Sequence, residues 1–313
     1  MRILLTAIGS MSALCSIERL HKAGHFVAGC DIYPKEWHLE SSVCDTFLQA
    51  PLARDENNYT AFILEFCKSI GIKFVIPLTD IEIDVLNRKR AQFRDAGITL
   101  CIPSEQTLSI ARNKKLLYDY FKGDKSVPSI LTVSCDALKD VGFPCVAKPY
   151  DGRSSEGLYI LKKEDDLSLI GRENLHRYVF QPFTAGTICT VDYVRSAATG
   201  NSFCIPRKEL LRTKNGAGVT VEVFHDNPLS ELVNHIGDAL DINGTINMEF
   251  ILHDGKYYLI DINPRFSAGI SFSCRRGYDF INAHLACHTG SDIPQSISYN
   301  DAIDKKIYVE TIK

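Results

Sequence analysis

Three side chains with oxygen ligands lie in two neighbouring apolar segments near the end of the chain. Glu249 lies in the first segment, and Asp261 and Asn263 lie in the second, after the turn-forming residues 253–256. Because side chains alternate between the faces of a strand, Asp261 and Asn263 point the same way, and Glu249 on the paired strand can join them. Carboxylate and amide oxygens suit a hard cation such as Mg²⁺ or Mn²⁺. The spacing therefore predicts a hairpin that carries a metal site.

Arg265 follows this metal site after a single proline. Its planar guanidinium can hold a phosphate beside the cation, so Arg265 and Asn263 are the predicted catalytic residues. The alternative is a plain hairpin whose acidic side chains face water. The acids stand among Ile, Leu, Phe and Tyr residues, and Pro264-Arg265 follows at once, which favours a site.

A loop of small residues earlier in the chain has the composition of a phosphate-binding lid. Between the expected strands 145–148 and 158–161 it contains Gly152, Ser154, Ser155 and Gly157. Backbone N–H groups and hydroxyls of such a loop can reach phosphate oxygens, while Lys148 at its mouth supplies positive charge. It is not a Walker P-loop, because no Gly-Lys-Ser/Thr precedes a helix. A hairpin with a flexible turn is the alternative.

Four further arginines are candidates for contact with an acidic substrate. Arg207 and Arg212 lie in a basic run before the loop 215–218, whose glycines are typical of a loop that closes over a site. The alternative for this run is an exposed strand edge kept soluble by its charges. Arg275 and Arg276 follow the metal site, and for them a plain surface position is the alternative.

The elements that must position these residues begin with alternating strands and helices. Strands are expected at 3–8, 26–30, 74–77 and 99–102, and helices at 13–23, 59–70 and 83–96. This alternation predicts a parallel, Rossmann-like sheet up to residue 103. The first turn has one glycine where a dinucleotide fingerprint needs three, so a nicotinamide site is not expected. Thr79-Asp80 stands where open sheets expose ligand sites, with a capped turn as the alternative.

The rest of the chain predicts two further domains, so that the three units are 1–103, 104–183 and 184–313. The expected helices are 104–121, 229–240 and 280–289, and the additional strands are 178–183, 188–194, 203–207 and 306–312. Lys114 lies in the first of these helices, and Asp192 lies in the strand 188–194 with its role open.

Composition narrows the classes of protein. With a formal net charge of -3 over 313 residues there is no basic footprint for nucleic acid or an anionic membrane. No apolar segment approaches the length of a membrane span, and the N-terminus does not read as a secretory signal. The eleven cysteines are scattered without a Cys-x-x-Cys pair, which is typical of reduced thiols and predicts a cytoplasmic protein.

The order of these motifs resembles the ATP-grasp superfamily, specifically single-module proteins similar to the large chain of carbamoyl phosphate synthase. The resemblance rests on Lys114, Phe143-Pro-x-Val-x-Lys148-Pro, the lid loop, Asn247-x-Glu249-Phe and Asp261-Ile-Asn-Pro-Arg265-Phe, in this order. It implies an α/β and α+β fold, with a Rossmann-like pre-ATP-grasp domain followed by a two-lobed ATP-grasp fold. It also implies a ligase that uses MgATP to activate a small carboxylate as an acyl phosphate, which an amine then attacks.

The resemblance implies a role for each motif. Lys114 and Lys148 would contact the nucleotide phosphates, residues 152–157 would form the lid, and Arg265 would steady the γ-phosphate. The strand segment Gln181, Pro182 and Phe183 would line the adenine, and Asp192 is counted with the nucleotide-binding residues. Glu249, Asp261 and Asn263 would hold Mg²⁺. A homodimer is a reasonable expectation for this class of chain.

Three positions depart from the family pattern. Ile188 stands where the family commonly has a glutamate for the ribose, so another group must supply that contact or nucleotide affinity is weaker. Asp261 replaces a more usual glutamate, and Arg153 stands in the lid where relatives often have a small residue. The alternative function is therefore a catalytically silent module that binds nucleotide or a partner.

Overall fold

The computed structural model describes residues 1–307, which begin with a five-stranded parallel sheet in the order β3-β2-β1-β4-β5. The strands are β1 (Arg2–Thr6), β2 (Phe26–Asp31), β3 (Thr46–Gln49), β4 (Phe74–Pro77) and β5 (Thr99–Leu100). The helices are α1 (Ala13–Lys22), α2 (Glu40–Val43), α3 (Glu56–Ile70), α4 (Asp80–Arg88) and α5 (Arg90–Asp95). The central strands are buried apolar runs, as expected for a sheet covered on both faces. The predicted helix 83–96 is thus two helices that meet at Lys89.

Two short helices lead from this sheet to the rest of the chain, α6 (Glu105–Ala111) and α7 (Lys114–Phe121). The sequence predicted a single helix over 104–121. The break lies at Asn113, whose backbone is extended and whose side chain accepts the N–H groups of Lys115 and Leu116 at 3.0 and 3.1 Å. Asparagine is a preferred N-cap because its side chain satisfies such free donors.

A small antiparallel sheet follows, in the order β7-β6-β8. Its strands are β6 (Cys145–Pro149), β7 (Tyr159–Leu161) and β8 (Tyr178–Pro182), and short 3₁₀ segments surround them. It has its own apolar core, made of Val133, Cys145, Ala147, Leu161, Ile170 and Phe180. We call this unit the small lobe.

The last sheet has six antiparallel strands in the order β13-β12-β9-β10-β11-β14. The strands are β9 (Thr187–Arg195), β10 (Ser202–Arg212), β11 (Gly218–Val223), β12 (Gly244–His253), β13 (Lys256–Asn263) and β14 (Ala302–Lys305). The helices are α8 (Asn227–Ala239), α9 (Ile270–Arg275) and α10 (Phe280–Thr289). The last strand lies at 302–305 instead of the predicted 306–312, of which residues 308–313 lie outside the described residues.

One apolar core joins the parallel sheet to the six-stranded sheet. Ile3 and Leu5 of β1 belong to the same buried cluster as Ile205 of β10, Phe266 and Phe280. The ends of β1 and β4 therefore lie next to the segment that follows β13, where the candidate site is located. Within residues 1–307, no helix is long and apolar enough to cross a membrane.

Candidate active site

A cavity of about 550 Å³ opens where the three sheets meet. The parallel sheet contributes residues 10–12 and 78–80, which follow β1 and β4. The small lobe contributes the lid loop and the end of β8, and the six-stranded sheet contributes β10, β12, β13 and the segment that follows β13. Most of the predicted site residues line this one space.

The three residues of the candidate metal site lie on the paired strands β12 and β13, with a register shift between Glu249 and Phe250. Glu249 on β12 lies opposite Asp261 on β13, and Asn247 lies opposite Asn263. The amide nitrogen of Asn263 donates to Glu249 Oε1 at 3.2 Å and to Asn247 Oδ1 at 3.3 Å. Among residues 1–307 there is no cluster of three or more His, Cys, Asp or Glu positioned for a metal. Two carboxylates and an amide oxygen nevertheless fit Mg²⁺, which commonly takes few protein ligands and completes its shell with water and phosphate oxygens.

Both carboxylates of the metal site face a cation of the protein. Lys114 Nζ lies 3.3 Å from Asp261 Oδ2 and also donates to the carbonyl of Gly152 at 2.8 Å. Arg212 Nη2 lies 3.6 Å from Glu249 Oε2. These cations balance the carboxylates in the free protein and stand beside the space that phosphates would need.

Burial changes the proton affinity of two groups on the cavity wall. It lowers the pKa of Lys148 to about 8, even though Asp261 opposes the shift. The Lys148 ammonium donates to the carbonyl of Ile260 at 3.3 Å. Burial likewise raises the pKa of Glu249, against the influence of Arg212. Both charged forms therefore become more favourable when a ligand of opposite charge enters.

The lid loop is exposed and has an unusual backbone. Ser154 and Ser155 have φ values of +51° and +57°, in the left-handed region that non-glycine residues rarely adopt. Gly152, Ser154 and Ser155 line the cavity, and an ideal Cβ on Gly216 would lie 3.2 Å from Ser155 Oγ. The lid loop therefore reaches the loop 215–218 across the mouth of the cavity. Gly157 (φ +69°) ends the lid loop and does not line the cavity.

One end of the cavity is an apolar slot beside the segment 181–183. Gln181 is buried and donates to Thr132 Oγ1 at 2.8 Å, while Pro182 is half-buried and Phe183 is exposed. Apolar side chains make up the slot walls: Ile130, Val146, Ile160, Ile188, Ile251 and Ile260. Apolar walls with nearby backbone groups suit a heteroaromatic ring.

Arg265 is held by Asp80, which was not among the predicted catalytic or binding residues. Its Nε donates to Asp80 Oδ2 at 2.9 Å, and its Nη1 donates to the carbonyl of Phe266 at 3.1 Å. Asp80 is the first residue of α4 and is 1% exposed. Its place after a central strand of the parallel sheet was the signal that pointed to it.

Asp192 does not line the cavity, which corrects its prediction as a nucleotide-binding residue. Its side chain is fully buried, where it accepts hydrogen bonds from Arg207 and from Ser273 Oγ. Arg207 does line the cavity, but its guanidinium is also bound by Glu209 at 3.2 Å and by Ser267 Oγ at 2.9 Å. Its donors thus serve mainly to hold β10 against β9 and against the segment that follows β13.

Of the other predicted arginines, one lines the cavity and two lie outside it. Arg212 lines the cavity, and its Nε donates to the carbonyl of Gly216 at 2.7 Å, which ties down the loop 215–218. Arg275 is exposed and lies outside the cavity. Arg276 also lies outside and is paired with Asp304 of β14. The structure therefore does not bring Arg275 and Arg276 to the site: Arg275 lies at the surface, whereas the Arg276 side chain is largely buried in its ion pair with Asp304.

Comparison with protein-family models identifies both parts of the chain. A model of the ATP-grasp domain matches residues 111–269, and a model of the PylC-like N-terminal domain matches residues 3–101. The chain belongs to the ATP-grasp family. The predicted resemblance to ATP-grasp proteins is thereby confirmed, and ATP and Mg²⁺ are the cofactors of this family.

Solved structures show the same fold at low sequence identity. The biotin carboxylase domain of 2-oxoglutarate carboxylase from Hydrogenobacter thermophilus is 16% identical with a TM-score of 0.78, over 95% of this chain and 72% of that one. The N5-carboxyaminoimidazole ribonucleotide synthetase of Thermotoga maritima is 18% identical with a TM-score of 0.70, over 96% and 79%. The corresponding Staphylococcus aureus synthetase, complexed with ADP, is 16% identical with a TM-score of 0.76, over 96% and 81%. The predicted ATP-grasp architecture is therefore confirmed.

Proposed function

We propose that this ATP-grasp protein is an ATP-dependent ligase. In this proposal it activates a small carboxylate as an acyl phosphate and couples it to an amine, with release of ADP and phosphate. The observation that carries the proposal is the meeting of two carboxylates, an amide oxygen and three cations in one cavity. These are the carboxylates of Glu249 and Asp261, the amide of Asn263, and the cations Lys114, Lys148 and Arg265.

The polar groups of the cavity would then divide into metal ligands and phosphate ligands. Glu249, Asp261 and Asn263 would hold Mg²⁺, which when bound neutralises charge on the phosphoryl oxygens. Lys114 and Lys148 would bind phosphate oxygens together with the lid loop, whose N–H groups and hydroxyls are suitable donors. Arg265 would stabilise charge on the transferred group, because a fixed guanidinium does so without reorganisation.

The apolar slot would take the nucleotide base, next to Gln181, Pro182 and Phe183. Ile188 gives this part of the cavity no ribose ligand, so the 2′- and 3′-hydroxyls would depend on other groups. The ion pairs Lys114–Asp261 and Arg212–Glu249 in the site favour turnover, because they keep charged groups beside the space for the phosphates. The alternative is a silent module that binds nucleotide without turnover, and Ile188 is the residue that favours it.

The oligomeric state, the division into domains and the cellular location of the protein are also proposals. The biotin carboxylase domain of Hydrogenobacter thermophilus is described as a dimer, which supports a homodimer here as well. We retain the division into units 1–103, 104–183 and 184–313, whose first boundary falls between the two family matches. A cytoplasmic location also remains an expectation.

The test is ADP release from MgATP in the presence of amino acids and small carboxylic acids, offered alone and in pairs. Release that requires one acid and one amine is the expected result. Asp261→Asn should abolish it, because losing the charge weakens the metal site. Asp254→Asn is the matched control, since it removes an exposed charge from the turn of the same hairpin and should leave the rate unchanged.

The possible results separate the two candidate functions. MgATP binding by calorimetry without ADP release from any pair would favour the silent module. Loss of activity in both variants would point to general damage to the hairpin and would remove the support for the metal assignment. Absence of MgATP binding by the wild type would overturn the proposal.

A further inference from the structure

The parallel sheet contributes one buried carboxylate to the wall of the cavity. Asp80 follows β4, a central strand, and begins α4 after the extended residue Thr79. Its side chain is 2% exposed and lines the cavity. Burying a carboxylate costs several kcal/mol unless cations and hydrogen-bond donors compensate for the loss of water. The partners of Asp80 therefore indicate its role.

Those partners are two arginines from different parts of the chain. Arg265, which lies 185 residues away in the sequence, places both Nε and Nη2 at 2.9 Å from Asp80 Oδ2. Arg112 places Nη1 at 3.6 Å from Asp80 Oδ1. Asp80 thus stands between an arginine of the metal-site segment and an arginine at the end of α6.

Each of these two arginines also contacts another part of the candidate site. Arg265 Nη2 donates to Asn263 Oδ1 at 3.4 Å, so the oxygen that faces Arg265 belongs to a predicted metal ligand. Arg112 Nη2 donates to the carbonyl of Asp151 at 3.3 Å, directly before the lid loop. Asp80 is therefore linked to the metal site on one side and to the base of the lid loop on the other.

The two arginines keep the Asp80 carboxylate ionised. Burial by itself would raise the pKa of Asp80, but Arg265 and Arg112 outweigh burial and hold that pKa below its usual value. A carboxylate fixed in this way remains an anion at neutral pH and is a weak base. Its contacts are those of a group that orients another group.

We infer that Asp80 is a positioning residue that fixes the Arg265 guanidinium relative to Asn263. The inference rests on the proposed ligase function and extends it, because it gives the N-terminal domain a direct part in the site. Two contacts to one carboxylate oxygen define the plane of the guanidinium and leave little freedom to rotate. Misplacement of a group that stabilises charge in the transition state by about 1 Å can cost on the order of a hundredfold in rate.

The first experiment compares Asp80→Asn with Asp84→Asn. Asp84 also binds Arg112, through two contacts of 3.0 Å, but does not contact Arg265 in the described structure, so it is the matched control. We expect kcat to fall by roughly 10- to 100-fold in Asp80→Asn while the MgATP dissociation constant changes by less than about threefold. Asp84→Asn should keep both values near those of the wild type. Equal losses in the two variants would overturn the inference, because the effect would then run through Arg112.

A double-mutant cycle tests whether Asp80 acts through Arg265. Once Arg265→Ala has removed the guanidinium, adding Asp80→Asn should cause no further loss of kcat. Multiplication of the two losses would overturn the inference. Should Asp80→Asn fail to fold, Asp80→Glu retains the charge but displaces it by one methylene, and a partial loss of kcat is then expected. Full activity of Asp80→Glu would contradict a positional role.

The contact between Asp80 and Arg265 can also be measured without a catalytic assay. In nuclear magnetic resonance spectra, the Nε–H signal of Arg265 should be shifted and protected from exchange in the wild type and in Asp84→Asn, and lose both properties in Asp80→Asn. If the wild type shows this signal but releases no ADP with any substrate pair, the proposed ligase function fails while the contact stands. If the signal is lost in Asp80→Asn and kcat is unchanged, the positioning role fails while the ligase function stands.

Discussion

Lys148 and Lys114 both lie close to Asp261, but they are held differently. Lys114 has a carboxylate oxygen at 3.3 Å and a carbonyl at 2.8 Å. Lys148 makes one hydrogen bond, to a carbonyl at 3.3 Å, and burial brings its pKa down to about 8. Most of its positive charge is therefore present at neutral pH and is lost as the pH rises through about 8, whereas an ordinary lysine loses its charge only near pH 10.

This difference predicts how nucleotide affinity depends on pH. Phosphates bind the charged form of Lys148, so affinity should be nearly constant below about pH 8, the pKa in the free protein. Above that pH a proton must be taken up on binding, and the dissociation constant of MgATP should rise by up to about tenfold per pH unit. Calorimetry between about pH 7 and pH 10 measures this slope.

Lys148→Arg is the control for that measurement. Arginine keeps its charge throughout this range, so the variant should bind MgATP with little dependence on pH. A rise as steep as in the wild type would mean that another group titrates, and would remove the phosphate role from Lys148.

At the scale of elements, the break between α6 and α7 decides where Lys114 points. Asn113 ends the helical path with an extended backbone and restarts it as the N-cap of α7. The N–H of Lys114 donates to the carbonyl of Tyr150 at 2.9 Å, which fixes the start of α7 against the base of the lid loop. The cap therefore positions a cation of the site as well as stabilising a helix.

Asn113→Ala should lower both stability and MgATP affinity. Loss of the cap costs about 1 kcal/mol in the free energy of unfolding, and the ammonium of Lys114 is no longer directed at the cavity. Ser104→Ala removes the N-cap of α6, where Ser104 Oγ accepts the N–H of Thr107 at 3.1 Å, and is the matched control. Chemical unfolding and calorimetry of both variants measure the two effects. If both variants lose stability and neither loses affinity, the cap has no role in the site.

The sequence predicted elements whose pattern is local and missed those that depend on pairing. The β12–β13 hairpin was predicted from its two apolar segments and the turn between them, but the register shift between Glu249 and Phe250 that places Glu249 opposite Asp261 was not. Strand β3 was missed, because Thr46–Gln49 is a short, half-exposed edge strand without a clear alternation. The same limit applies to the break at Asn113, which the continuing apolar period conceals.

Site residues follow the same division. Arg207 was predicted to bind substrate because a sequence does not show that Asp192, on the neighbouring strand and diagonal to it in register, neutralises it in the core. Asp80 was noticed only by its place after a strand, since its partner Arg265 is 185 residues away. The resemblance to a family supplied the order of the motifs, and the contacts between them required the fold.

At the scale of the whole molecule, the apolar cores divide the chain into a larger body, formed by the parallel sheet and the six-stranded sheet, and the small lobe. The parallel sheet and the six-stranded sheet share one buried cluster, and Arg19 of α1 donates to the carbonyl of Cys274 at 2.7 Å across their boundary. The small lobe instead relies on its separate core of six buried residues. A small separate core opens more readily than a large shared one, because fewer apolar contacts oppose its opening.

This division predicts the pattern of amide hydrogen exchange. In the free protein, amides of β6–β8 in the small lobe should exchange faster than those of β1 and β9 in the larger body. MgATP should slow exchange in the small lobe selectively, because its phosphates would connect Lys148 and the lid loop to residues of β12 and β13. Mass-spectrometric exchange with and without saturating MgATP measures both effects, and Lys148→Ala, which lacks one of these connections, should show less protection at equal occupancy.

Equal exchange in both bodies of the free protein would mean that the small lobe does not open separately. Equal protection in both bodies after MgATP binding would mean that the nucleotide does not act as a bridge between them.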